Sequence, residues 1–118
     1  MKMTRFNIGK DINGVAAYNL ADSNTKFQTI LTASVEQTLT VPQTNDPIYP
    51  RVAVILSVEP GTSMWYSLNS TAELPTSSFT QTTSEHNPQV RIVQPGDVLH
   101  FITRSLASEL GVVMYASQ

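Results

Sequence analysis

The sequence predicts an all-β fold: a single antiparallel β-sandwich of jelly-roll or Greek-key type, preceded by an extended N-terminal arm. Three observations carry that expectation. Apolar and polar residues alternate with period two in several short segments. Two Pro-Gly pairs punctuate them. The connections are of mixed length, some tight and some long and polar, which suits a rolled sandwich better than a simple meander. At 118 residues the chain has room for one domain, divided here into an arm over 1–22 and a sandwich over 23–118.

The first 22 residues contain Phe6, Ile8, Ile12, Val15, Tyr18 and Leu20, separated by glycines and asparagines. Their apolar groups are too frequent for disorder and too irregular for a helix, so an extended arm is expected, with at most one strand. From Lys26 to Ser34, Phe27, Thr29, Leu31 and Ala33 share one face. From Val35 to Val41, Val35, Leu39 and Val41 alternate with Glu36, Thr38 and Thr40, and Pro42, lacking an N–H, ends that strand. Arg51–Val58 is apolar on both faces and reads as a central strand.

Glu59-Pro60-Gly61-Thr62 places Pro and Gly at the central positions of a type II turn. It leads into Ser63–Asn69, where Met64, Tyr66 and Leu68 face one way. Gln89–Gln94 precedes a second such turn, Gln94-Pro95-Gly96-Asp97, and Val98–Thr103 and Leu110–Ala116 close the domain. That makes seven strands, or eight with one in a less regular stretch. A short helical turn is weighed for Thr103–Leu110, because Leu106 and Leu110 are spaced i, i+4. Ser70–Asn87 is rich in Ser and Thr and reads as a surface loop, held by Leu74-Pro75 or Phe79 as anchors.

Composition narrows the function. Only 14% of residues are charged, with a net charge of −2, against about 25% in an ordinary domain. The seven Lys and Arg residues are scattered singly, so the clustered cations that neutralise nucleic-acid phosphates are missing. Ser, Thr, Asn and Gln supply about a third of the chain, a polar surface that costs less to desolvate than charge. No apolar run reaches the roughly 20 residues of a membrane span, and the N-terminus lacks a signal-peptide core. Synthesis in the cytoplasm is therefore expected, with no nucleic-acid or membrane partner.

The search for chemistry points away from an enzyme. Cysteine is absent, which removes disulfides and thiolate metal sites. His86 and His100 are the only histidines, and neither has the His-x-His neighbour that a metal site in a small sandwich would use. No phosphate loop or nucleophile elbow occurs, and the glutamates have no spacing that forces two together, although strand pairing could do so. No cofactor and no metal are expected. Trp65 stands out, because its same-face neighbours Ser63, Ser67 and Asn69 are small and polar. It is either covered by a loop or the arm, or it is an interface anchor of the kind tryptophan often provides. A carbohydrate platform is a third use.

Three segments, Ser67–Ala72, Thr83–Pro88 and Gln94–Ile102, resemble small virion proteins of tailed bacteriophages, as do Arg5–Gly9 and Glu36–Pro42. The resemblance is to capsid decoration, or cement, proteins. It implies a jelly-roll-like sandwich that sits on the exterior of the virion capsid as a homo-oligomer, a dimer or, in preference, a trimer, and binds the major capsid protein. It brings no catalytic residues. On this reading Arg5, Phe6, Ile8, Ile12, Tyr18, Leu20 and Trp65 are the candidate interface residues. The alternatives are another virion part, such as a head fibre base or tail component, and a carbohydrate-binding sandwich module.

Overall fold

The computed structural model describes residues 1–10, 16–104 and 107–118. Among them are ten strands: β1 (Ile8–Lys10), β2 (Ala16–Leu20), β3 (Thr25–Leu31), β4 (Gln37–Thr40), β5 (Arg51–Val58), β6 (Trp65–Leu68), β7 (Glu85–His86), β8 (Val90–Val93), β9 (Val98–Ile102) and β10 (Ser108–Ser117). Strands β3 to β10 form two four-stranded antiparallel sheets, ordered β3-β10-β5-β8 and β4-β9-β6-β7, while β1 and β2 make a separate two-stranded ribbon. The pairs are nested: β3 with β10, β4 with β9, β5 with β8 and β6 with β7. That nesting, rolled so that β10 also meets β5 and β9 also meets β6, is the jelly roll.

The inner faces supply the core. Leu31, Val52, Val54, Leu56, Val93, Leu110, Val112, Met114 and Ala116 from the first sheet meet Tyr66, Leu99 and Phe101 from the second, with Val41 and Met64 at their ends. Alternation along each strand is the direct cause, since a strand turns every second side chain to one face. Both Pro-Gly turns form as expected. Gly61 has φ 82° and Gly96 φ 90°, a region that favours glycine, and Thr62 N–H donates to Glu59 C=O at 3.2 Å and Asp97 N–H to Gln94 C=O at 3.1 Å.

Four local expectations change. The first 22 residues hold two strands, β1 and β2, where the sequence suggests one at most. Glu85–His86 forms a short strand inside what reads as loop. The helical turn weighed for Thr103–Leu110 gives way to strand in its described part: Thr103 bridges Ala33 and β10 begins at Ser108, while Ser105 and Leu106 lie outside the described residues. Phe79 anchors nothing in the chain, being fully exposed. The loop is instead tied by its backbone, with Glu36 accepting from Ala72 N–H at 2.7 Å, Ser84 from Glu73 N–H at 2.9 Å, and Pro75 C=O receiving the Arg104 guanidinium.

Candidate functional site

The first 22 residues divide into two unlike parts. Met1–Asn7 is built into the sandwich. Strand β3 stops pairing with β10 at Met114, and the N-terminal segment takes its place: Ala116 N–H donates to Thr4 C=O and Phe6 N–H to Ala116 C=O, both at 2.8 Å. Met3 is 4% exposed and joins the core. Arg5 forms a two-bond ion pair with Asp46, at 2.7 and 3.2 Å, and its guanidinium lies 4.4 Å from the centre of the Tyr49 ring. Asp46, its side chain 1% exposed, also accepts from Ile48 N–H at 3.1 Å. The Arg5 guanidinium holds this carboxyl below the usual carboxylate range. Phe6 packs edge-on against Tyr115, centroids 5.7 Å apart.

The ribbon is the other part. Ile8 lies in β1 and pairs with Leu20 of β2, Tyr18 lies in β2, and Ile12 falls outside the described residues. Among the described residues β1 and β2 pair only with each other. Their base is fixed: Thr4 N–H donates to Asn24 Oδ1 at 3.1 Å, Asn24 Nδ2 donates to Lys2 C=O at 2.7 Å, and Tyr115 Oη donates to Ala21 C=O at 2.7 Å. Of the expected interface residues, Arg5 and Phe6 are thus engaged within the chain, and Leu20 is half-buried at the ribbon's end.

The outer face of the second sheet is polar and closed by the 70–84 loop. Trp65 is half-buried there. It stacks on His86 across the β6–β7 pair with centroids 4.6 Å apart, and the Arg104 guanidinium lies 5.9 Å from its ring centre. A cavity of about 520 Å³ lies between Trp65 and the loop, lined also by Glu73, Leu74, Phe79 and Gln81.

Strand register assembles a cluster on this face that no sequence spacing announces. Ser67 sits directly opposite His100 on β9, and His100 Nδ1 lies 3.1 Å from Glu36 Oε1. The hydrogen bond from His100, with help from Ala72 N–H, holds the Glu36 carboxyl below its ordinary value. Serine, histidine and glutamate are the residue types of a hydrolytic triad. Here, however, Ser67 is 1% exposed and its hydroxyl bonds those of Ser70 and Thr83, so it is turned to the loop and not offered to a substrate. The cluster fastens the loop to the sheet.

The outer face of the first sheet is different in kind. Its rows run Ile92–Ala53–Tyr115 and Val90–Ile55–Val113–Lys26 across the strands. Ala53 and Tyr115 are buried, with Phe6 of the N-terminal segment packed on Tyr115, whereas Val90 and Ile92 are 45% and 50% exposed. Among the described residues no group of three His, Cys, Asp or Glu side chains could hold a metal ion. No family model, no curated protein and no solved structure matches this chain.

Proposed function

We propose that this protein is a non-enzymatic decoration, or cement, protein of a tailed bacteriophage, one that docks on the outside of the head and stabilises contacts between shell subunits. The observation that carries this reading is the β1–β2 ribbon, fixed at its base yet, among the described residues, paired only with itself. A two-stranded hairpin alone is marginal in water, so a ribbon on a rigid jelly roll suits an element completed by a partner. The resemblance of five segments to small phage virion proteins names that partner as the major capsid protein. The sparsely charged surface agrees, since it desolvates cheaply. A ribbon burying about 800 Å² would match one side of a standard interface, and repetition over a lattice would add avidity.

The direct test is co-sedimentation of the protein with expanded capsids of its phage, followed by heating the shells with and without it. Saturable binding at a fixed ratio to shell subunits, with a raised shell melting temperature, is expected. Absence of binding would move the assignment to a tail or fibre role. A second reading rests on the cavity beside Trp65: a sugar could lie between the ring and the hydroxyl-rich loop. Because His86 and Arg104 already engage the ring, this reading ranks below the first. Glycan-array binding abolished by Trp65→Ala would restore it.

A further inference from the structure

We infer that two copies of this chain join edge to edge through β8, continuing the first sheet across a two-fold axis into an eight-stranded sheet. The inference is independent of capsid binding and starts from hydrogen-bond direction. Leu56 N–H donates to Gln89 C=O at 2.8 Å. In an antiparallel pair, bonded and non-bonded positions alternate, so in β8 the main-chain groups of Arg91 and Val93 point to β5. Those of Val90 and Ile92 point away from the sheet. The β10 side agrees, because Glu59 N–H donates to Glu109 C=O at 2.9 Å, which assigns the odd residues of β5 to β10 and leaves the even ones for β8.

An open strand edge is a template for another strand, and proteins blunt the edges they do not use. The sandwich has four edges, and three are blunted. Strand β7 has two residues. Strand β3 turns Lys26, Gln28 and Ile30 outward, and the Ile30 carbonyl is taken by Gln37 Nε2 at 2.8 Å. Strand β4 turns out Thr38 and Thr40, with no exposed large apolar side chain in the strand. Strand β8 combines outward main-chain groups with exposed apolar side chains, Val90 and Ile92, and contains no Lys or Pro, whereas β3, where Phe27 and Ile30 are also exposed, carries Lys26 at its edge.

A second copy is the occupant this edge fits. With Val90 opposite Ile92 of the other copy, the two-fold passes through Arg91 and four main-chain hydrogen bonds form. The Val90 carbonyl already accepts from Arg91 Nη1 at 2.6 Å but has a second lone pair. Arg91 and Glu85 form an exposed ion pair at this edge. Each guanidinium therefore brings its own counter-charge to the axis, and Glu85 of either copy can serve either arginine. The row Val113–Ile55–Val90 would run on across the junction into the Ile92–Ala53–Tyr115 row of the second copy. Such an interface is isologous and closes at two.

The test is the mass of the full-length protein by sedimentation equilibrium from micromolar to millimolar concentration. A monomer–dimer equilibrium is expected. Ile92→Pro removes an outward N–H that the fold does not use, a position where an edge strand tolerates proline, and should weaken the dimer at least about tenfold. Val90→Lys should do the same without touching the backbone, and it carries the test if the proline variant fails to fold. Ile30→Lys, on the opposite edge, should leave the dimer unchanged. A monomer at all concentrations, a trimer, or a dimer indifferent to Val90→Lys would overturn the inference.

Discussion

The two outer faces of this sandwich each belong to a four-stranded antiparallel sheet, yet one is finished within the chain and the other is not. On the second sheet, Trp65, Ser67 and His100 are met by His86, Ser70, Thr83 and Glu36, and the 70–84 loop lies over them. On the first sheet, Phe6 of the N-terminal segment packs on Tyr115, while Val90 and Ile92 are left to solvent. Polar residues on a face demand partners because an unmet buried group is costly, and the loop provides them. Apolar residues make no such demand, so their exposure marks where an external partner can be accommodated at small cost to the monomer.

Substitutions can sharpen that contrast. The core shared by both faces sets the scale: Leu99→Ala, at a fully buried side chain, should cost about 2–5 kcal/mol in denaturant unfolding. On the finished face, Glu36→Ala strips the Ala72 N–H and His100 of their acceptor and should cost about 1–3 kcal/mol. A cost as small as that of a surface change would mean that the loop is not fastened there. Ile92→Thr on the bare face should change monomer stability by under about 0.5 kcal/mol while weakening self-association.

The ribbon offers a parallel contrast with the segment that precedes it. Replacing residues 8–20 by a short Gly-Ser linker should leave a cooperatively melting sandwich that no longer co-sediments with capsids. Met3→Ala, which removes a core side chain, should instead lower the melting temperature. Undiminished capsid binding by the linker variant would exclude the ribbon from docking.

Acid should act mainly through three carboxylates. Glu36 is held below its ordinary 4.5 by His100, Asp46 below 3.8 by Arg5, and Glu85 below 4.5 by Arg91. Each is depressed in the folded state, so the unfolded chain binds protons more readily. Their contribution is complete above the ordinary values and is lost as pH falls beneath them. Melting temperatures should therefore hold steady from neutral pH down to about 5 and drop below about 4.5. Glu36→Gln should make that drop shallower.

Much of this architecture is legible in the sequence because its signals are local. Alternation marks the strands from β3 to β10 apart from β7, and the two Pro-Gly pairs mark their turns. What is not legible depends on partners distant in the chain. Strand β7 is two polar residues with no pattern to detect. The role of Arg5 is set by Asp46, 41 residues on, and that of Phe6 by Tyr115. The Ser67–His100–Glu36 cluster exists only once β4, β9 and β6 are in register. Trp65 among small polar neighbours is a signal visible beforehand, and the structure half-buries it, stacked on His86 and facing the loop across a cavity.

Amide hydrogen exchange of Val90 and Ile92, followed as protein concentration rises, tests most directly whether the first sheet is the unfinished one. Protection of these two amides should grow with concentration, while Thr38 and Thr40, the outward positions of β4, stay unprotected. Exchange at Val90 and Ile92 as fast as at Thr38 and Thr40 at every concentration would contradict it.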